Sequence, residues 1–137
     1  MARITEPDRI LEIAKNAKVI AVVGISPKKE RASYYISERV REKGYRMYYI
    51  NPVYEGETIL DEKVISSLKD VPEKIDIVNV FRNPKYLPPI MEESVEVGAK
   101  VVWLQPGAES EEVIAAYEDR IDIIYNACLG VTVGYLG

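Results

Sequence analysis

A continuous apolar run, residues 18–24 (KVIAVVG), is the feature that most restricts the fold of this chain. A strand with one face in water would alternate apolar and polar side chains, and this run does not. It therefore predicts a central strand of a parallel sheet, buried on both faces. The glycine at its end, Gly24, allows the backbone to turn sharply as it leaves the strand.

Four further short runs are also mainly apolar, and amphipathic segments separate them. The predicted strands are residues 18–24, 45–50, 76–81, 100–104 and 121–125. The predicted helices are residues 7–17, 33–43, 64–68, 84–97 and 110–117, and residues 126–137 are predicted to be loop-rich. Helical crossovers between strands imply parallel pairing. The sequence thus predicts an α/β fold: a single Rossmann-like, doubly wound domain over residues 1–137, with a five-stranded parallel sheet in the order 3-2-1-4-5 and helices on both faces.

The composition excludes several kinds of chemistry. The 137 residues include no histidine and one cysteine, Cys128. Ser-His-Asp and Cys-His catalysis, phosphohistidine intermediates, histidine metal sites and an intrachain disulfide are therefore ruled out. We expect no metal site and no reaction that the chain catalyses by itself. The net charge of −4 also argues against a general nucleic-acid partner.

The amino-terminal residues and the length of the apolar runs bear on location. Residues 1–12 mix charge with proline and lack the apolar stretch of a signal peptide. No run approaches the roughly 20 apolar residues of a membrane span. A single cysteine is compatible with a reducing compartment. We expect a cytoplasmic chain without a membrane partner.

The candidate site follows from the predicted fold. In sheets of this type, ligands bind beyond the carboxyl ends of the strands. The loops that leave those ends are residues 24–33, 51–54, 81–84, 105–108 and 126–131. They are distant in sequence, but the fold brings them to one edge of the sheet.

The loop after the first strand is rich in groups that bind anions. Ser26 offers a hydroxyl, Lys28 and Arg31 are cationic, and the start of the next helix favours a bound anion. The alternative is a solvated basic loop. The loop lacks the G-x-G-x-x-G and G-K-[ST] patterns, so NAD binding and nucleotide hydrolysis are less favoured. The candidate ligand-binding residues here are Gly24, Ile25, Ser26, Lys28, Arg31 and Ser33.

The loops after the second and third strands carry Asn51, Pro52, Phe81 and Arg82. Asn51 suits an adenosine edge, and it equally suits the shaping of a turn. It also stands where NAD-binding proteins usually carry an acidic residue for the ribose. Phe81 suits contact with adenine or pantetheine, or a place in the core, whereas Arg82 suits a phosphate.

The last two loops carry Gln105, Pro106, Asn126 and Cys128. Gln105 and Pro106 belong to a tight turn that suits a polar ligand tail, or they form a plain loop. Cys128 lies where a site is expected, although a single cysteine is usually a small buried apolar residue. Its reactivity depends on exposure and on nearby positive charge.

These strand-end residues resemble those of the CoA-binding-domain family, small Rossmann-like proteins related to the nucleotide-binding domain at the start of the succinyl-CoA synthetase α subunit. The resemblance spans roughly residues 10–131. The residues that carry it are 21–26 (AVVGIS), Arg31, Ser33, Tyr34, Asn51, Pro52, 76–78 (DIV), 80–82 (VFR), 98–105 (GAKVVWLQ), Asn126, Cys128, Gly130 and Val131.

The resemblance implies coenzyme A as the cofactor. By analogy, Gly24, Ser26 and Arg31 would hold the phosphates, and Asn51 with Pro52 would border the adenosine. The analogy also places residues along the pantetheine and near its far end. Those residues are Phe81, Arg82, Gln105 and Pro106 for the path, with Asn126 and Cys128 at the end.

Two departures from the synthetase domain limit what the resemblance implies. That domain carries a lysine in the loop after its second strand, and residues 51–54 contain none. Its chemistry also needs a phosphohistidine from a further domain, and this chain has no histidine. We therefore expect that this chain cannot run that acyl-CoA synthesis by itself.

Three functional hypotheses follow. The first is a protein that binds CoA or a CoA derivative without catalysis of its own, with a mixed disulfide between Cys128 and CoA as an extension. The second is the CoA-binding component of a multi-subunit acyl-CoA ligase, and the third is a sensor of NAD(H) or another adenine nucleotide. A ligase subunit or a second copy of the chain remains open as a partner.

Overall fold

Strands and helices alternate along the computed structural model, which describes residues 2–137. The strands are β1 (Arg3–Ile4), β2 (Val19–Val23), β3 (Arg46–Ile50), β4 (Thr58–Ile59), β5 (Glu62–Lys63), β6 (Ile77–Val80), β7 (Val101–Leu104) and β8 (Asp122–Ile124). The α-helices are α1 (Pro7–Asn16), α2 (Ala32–Glu42), α3 (Leu87–Glu96), α4 (Glu111–Tyr117) and α5 (Leu129–Gly134). Short 3₁₀ turns occupy Pro52–Tyr54, Leu68–Asp70 and Pro84–Tyr86.

The predicted α/β class with a parallel sheet is confirmed, but the predicted strand number and order are wrong. Over residues 2–137 the main sheet has six strands in the order β1-β8-β7-β6-β2-β3, all paired in parallel. The third predicted strand, β6, pairs with β2 and not with β3. In the predicted numbering the order is therefore 2-1-3-4-5, with β1 added beyond β8 at the far edge.

The segment between β3 and β6 explains the order. The outer edge of β3 is already paired at its carboxyl end, because the N–H of Ile65 donates to the Tyr49 carbonyl (2.9 Å) and the N–H of Asn51 donates to the Ile65 carbonyl (3.0 Å). Residues 64–65 are consequently extended, and the helix predicted at 64–68 is wrong. A third long strand beside β3 would have to replace these bonds. The chain instead returns across the sheet to β2.

Two further elements differ from the sequence prediction. The strand β1 has only two residues and pairs with β8. The tail predicted to be loop-rich contains the helix α5, whose Leu129 and Val133 are fully buried. The helix begins after Cys128, whose carbonyl accepts a hydrogen bond from Thr132 Oγ1 (2.9 Å). Among residues 2–137, none of the helices has the length and apolar character needed to cross a bilayer.

The core lies on both faces of the sheet. All five residues of β2 are buried, as the apolar run predicts. Alternate side chains of β2 divide between two clusters: Ile20 and Val22 pack with α1, α2 and α5, whereas Ala21 and Val23 pack with α3 and α4. In the first cluster the fully buried Trp103 donates its indole N–H to the Ala127 carbonyl (2.9 Å), which ties the loop before α5 to the sheet.

Asp76 links the amino ends of the central strands through hydrogen bonds and an ion pair. Its Oδ2 accepts the backbone N–H groups of Lys18 (2.8 Å) and Val19 (3.0 Å), and its Oδ1 pairs with the Lys100 ammonium (3.2 Å). Burial by itself would raise the pKa of this carboxyl. The two N–H donors and Lys100 outweigh burial and hold the pKa below its ordinary value.

Replacing Asp76 with alanine should lower the free energy of unfolding by about 1–3 kcal/mol at pH 7, because two backbone donors lose their acceptor. Since the pKa is lower in the folded state, the carboxylate stabilises the fold above its unfolded pKa of about 3.9, and this stabilisation disappears as the pH falls through the folded pKa. The deficit of Asp76→Ala should therefore shrink on acidification, as measured by urea unfolding between neutral and acidic pH. A deficit that does not depend on pH would contradict this account.

Lys100→Ala is the matched control, because it removes the ion pair from the exposed Lys100 side and leaves both backbone N–H groups their acceptor. Such pairs contribute about 0–1 kcal/mol, so the control should lose much less stability than Asp76→Ala.

Candidate functional site

The connections diverge at the carboxyl ends of β2 and β6. The chain leaves β2 towards β3 on one side, and it reaches β6 on the other side. Gly24 follows β2 and donates its N–H to the Ile50 carbonyl (2.9 Å), while Phe81 follows β6 and donates its N–H to the Val23 carbonyl (2.9 Å). In open α/β sheets a ligand crevice forms at such a divergence.

Gly24 is required by its surroundings. Its φ is +94°, which side chains rarely tolerate, and an added Cβ would lie 2.5 Å from the Phe81 carbonyl oxygen and 2.8 Å from Arg82 Cδ. The backbones of the two central strand ends therefore approach closely at this point. Two clefts open on either side, and both are lined by Gly24 and Arg82.

The first, called here the apolar cleft, has a volume of about 390 Å³ and lies between the end of β3 and helix α3. Val53 and Tyr86 stand at its rim, with 75% and 43% of their surface exposed. Large exposed apolar groups beside a concave surface are typical of a ligand site. The remaining lining residues are Val23, Ile50, Asn51, Pro52, Ser66, Leu68, Pro89, Ile90 and Glu93.

The second, called here the cationic cleft, has a volume of about 560 Å³ and lies between the start of α2 and the end of β7. Lys28, Arg31 and Arg82 line it, and none of them forms an ion pair within residues 2–137. Ala32 and Ser33 place the first turn of α2 in its wall, where the helix dipole favours an anion. The other lining residues are Ser26, Tyr54, Phe81, Asn83, Gln105, Pro106, Gly107 and Ala108.

The basic loop has a fixed shape. Ser33 Oγ accepts the N–H of Ser26 (3.0 Å), and Ser26 Oγ accepts the N–H of Lys28 (3.1 Å). Helix α2 begins at Ala32 with Arg31 as its N-cap, so Ser33 lies in the first turn. These bonds hold the loop in the wall of the cationic cleft, where Lys28 and Arg31 are exposed.

Arg82 belongs to both clefts. Its guanidinium carbon lies 4.2 Å from the centre of the Tyr86 ring, and Lys85 Nζ lies 5.0 Å from the same ring. A guanidinium over an aromatic face is stabilised electrostatically and keeps its N–H edge available. Arg82 can therefore meet an anion at the junction of the two clefts.

Some predicted site residues have structural roles. Ile25 is fully buried, and its carbonyl accepts the Asn51 amide (2.8 Å). The Asn51 oxygen accepts the N–H of Val53 (3.0 Å), so the structure has the turn that was the alternative for this residue. Gln105 is 3% exposed; its oxygen accepts the N–H of Leu129 (2.9 Å) and its amide donates to Cys128 Sγ (3.5 Å).

The sequence prediction therefore falls into three groups. Nine candidate residues line the cationic cleft, and Asn51 and Pro52 line the apolar cleft, whereas the buried Ile25 lines neither. Asn126 is exposed in a separate cleft beside α1, and Cys128 is half-buried behind Gln105, outside both clefts. The nine residues are Gly24, Ser26, Lys28, Arg31, Ser33, Phe81, Arg82, Gln105 and Pro106.

Helix α3 and the 3₁₀ turn before it supply contacts that were not predicted. Tyr86, Ile90 and Glu93 line the apolar cleft, as do Ser66 and Leu68 from the segment before β6. These residues lie outside the strand-end loops, where the sequence predicts the site. The periodic apolar positions of α3 indicate only a packed helix.

Comparison with known proteins identifies relatives of the whole domain. The sequence pattern of the CoA binding domain matches residues 18–134. An uncharacterized Bacillus subtilis protein, YneT, is 37% identical over 123 residues, which cover 89% of this chain and 90% of that protein. The α subunit of an ADP-forming acetate–CoA ligase from Pyrococcus furiosus is 32% identical over 97 residues, which cover 67% of this chain but 21% of that subunit.

Solved structures agree with the fold. A hypothetical protein from Pyrococcus horikoshii is 34% identical and superposes with a TM-score of 0.90, covering 97% of this chain and 94% of that one. A Rex-family repressor solved with β-NADH is 17% identical, with a TM-score of 0.63 over 93% of this chain and 61% of that one. The second similarity concerns the fold alone.

The close approach at Gly24 can be tested by Gly24→Ala. Gly107 is the matched control, because its φ is +98° and a Cβ there would meet nothing within 4 Å. Gly107→Ala should cost only the backbone strain, about 1–2 kcal/mol. Gly24→Ala should cost about 1–3 kcal/mol more, because the methyl group collides with the Phe81 carbonyl. Equal losses in the free energy of unfolding would contradict the proposed collision.

Proposed function

The chain belongs to the CoA binding domain family, and we propose that the two clefts beside Gly24 together form a site for coenzyme A. The proposal rests on the different linings of the two clefts. Cations without ion-pair partners among residues 2–137 line one cleft, and mainly apolar groups line the other. CoA combines these characters in one molecule, because it joins a flat adenine base to several phosphates. Arg82 lies where the two parts would meet.

The phosphates suit the cationic cleft. Lys28, Arg31 and Arg82 have no carboxylate partners among residues 2–137, although the whole chain carries a net charge of −4. A guanidinium binds phosphate through two parallel hydrogen bonds, and the start of α2 adds a favourable dipole. The residues present therefore fit an anionic cofactor.

The adenine base suits the apolar cleft. Its rim is formed by Val53 and Tyr86, and its walls include Pro52 and Ile90. A planar aromatic group buried there would remove this apolar surface from water. The pantetheine arm would then leave along Phe81, Gln105 and Pro106, which line the far side of the cationic cleft.

Binding is tested by titrating the purified chain with CoA and, in parallel, with NADH. CoA at 100 times its dissociation constant should stabilise the fold by about 2.7 kcal/mol, seen as a rise in Tm. Arg31→Ala and Arg82→Ala should each weaken CoA about tenfold or more in calorimetry, because each removes a charged hydrogen bond to phosphate.

Arg120→Ala serves as the control, since Arg120 pairs with Glu92 away from both clefts and its loss should leave CoA affinity unchanged. Wild-type affinity in the Arg31 and Arg82 variants would reject the two clefts as the site. Tighter binding of NADH than of CoA would favour the nucleotide-sensor hypothesis.

The ligase relative supports a second candidate. This chain spans only about a fifth of that α subunit. A role as the CoA-binding component of a multi-subunit ligase would require a partner chain. Copurification from the native organism separates the two candidates: a stable partner with ligase activity supports the component role, and a lone monomer or homo-oligomer supports the binding protein.

We also propose that Cys128 exchanges with CoA disulfides. Its Sγ lies 3.5 Å from the amide of Gln105, which lines the cationic cleft. The Cys128 thiolate would attack one sulfur of a CoA disulfide dimer, form a Cys128–CoA disulfide and release the other CoA as its thiolate. In a reducing cytoplasm, the compartment we propose for this chain, the cysteine would otherwise remain a free thiol.

The exchange predicts a mass increase of one CoA moiety when the wild-type chain is incubated with the CoA disulfide dimer and analysed without reductant. A reductant should reverse the increase, and Cys128→Ser should show none. An unmodified wild-type chain would exclude the exchange and leave non-covalent CoA binding intact.

A further inference from the structure

Glu93 differs in charge from the rest of the two clefts. Among the described residues that line either cleft it is the single acidic one. It belongs to α3 and faces the apolar cleft, on the side away from Lys28 and Arg31. A carboxylate in this position repels phosphate and attracts a hydrogen-bond donor.

The two carboxylate oxygens of Glu93 differ in their hydrogen bonds. Oε1 accepts the N–H of Leu68 (2.6 Å) and the hydroxyl of Ser67 (2.9 Å). Oε2 accepts no hydrogen bond from residues 2–137, and the carboxylate forms no ion pair with them. The side chain is thus held by the two hydrogen bonds to Oε1, lines the apolar cleft and keeps its second oxygen without a donor among these residues.

We propose that Glu93 selects adenine by accepting a hydrogen bond from its 6-amino group at Oε2, an inference that rests on the proposed CoA site. A single acceptor in an apolar cleft matches a flat base with one exocyclic amine. Guanine presents two adjacent donors, which call for both carboxylate oxygens, and Oε1 is already occupied. Hypoxanthine presents a carbonyl oxygen at position 6, which the carboxylate repels, and its nearest donor is the ring N–H at position 1, away from the place of the amine.

The same carboxylate fixes the direction of the ligand. Glu93 repels phosphate on the α3 side, and Lys28 and Arg31 attract it to the α2 side. The base and the phosphates therefore favour one arrangement in the two clefts. Recognition of the amine and orientation of the nucleotide have one physical origin.

The test compares CoA with its 6-oxo analogue, in which adenine is replaced by hypoxanthine. The wild-type chain should bind CoA about tenfold or more tightly than the analogue, because the analogue replaces a charged hydrogen bond with repulsion. Glu93→Gln should abolish or invert this preference. The glutamine oxygen can still accept from Leu68 and Ser67, while its amide nitrogen faces the cleft and donates to the 6-oxo group.

Glu96→Gln is the matched control on the same helix, because Glu96 pairs with Lys69 at the surface and lines neither cleft. It should keep the wild-type preference. The comparison of the two ligands on the wild-type chain needs no variant, so it decides the question even if Glu93→Gln is unstable.

The outcomes separate the two proposals. Equal wild-type affinity for both ligands, or an unchanged preference in folded Glu93→Gln, overturns the role of Glu93 and leaves the CoA site standing. Absence of CoA binding to the wild-type chain overturns both.

Discussion

The close contact between the ends of β2 and β6 is the constraint on which the site depends. Gly24 has a positive φ and leaves no room for a side chain beside the Phe81 carbonyl. Because the strand ends meet so closely, the following segments must diverge, one towards α2 and the other towards α3. The two clefts are the spaces that this divergence leaves, and each is bordered by Gly24 and Arg82.

The distribution of charge gives those spaces different chemistry. The arginines away from the clefts that form ion pairs are Arg3, Arg41, Arg46 and Arg120. Arg31 and Arg82, which line the cationic cleft, form no ion pair with residues 2–137. These cations do not stabilise the fold through ion pairs, although the chain has a net charge of −4. Their charge attracts an anionic ligand to the edge of the sheet at which this fold binds ligands.

Sequence reasoning succeeded where local composition determines the structure. The run at residues 18–24 is apolar throughout because β2 is buried on both faces, so the parallel sheet could be predicted. The strand order could not, since it depends on the pairing of Ile65 with the edge of β3, and no local pattern encodes that contact. Helix α5 escaped prediction because glycine and β-branched residues are poor helix formers, and burial of Leu129 and Val133 outweighs their preference. Glu93 escaped because a carboxylate on a helix usually indicates a solvated face.

In the proposed site, Arg82 would join the two clefts. Its guanidinium is held over the Tyr86 ring, which belongs to the apolar cleft, while its charge also faces the cationic cleft. A ligand that spans both clefts would contact the aromatic partner of this arginine through its base and the arginine itself through its phosphates. Base recognition and phosphate recognition are then coupled through one side chain, whereas Arg31 lies in the cationic cleft alone. A nucleotide that has both a base and phosphates would therefore bind to Tyr86 and Arg82 together. A free phosphate or a free base would contact only one of the two and would bind less tightly.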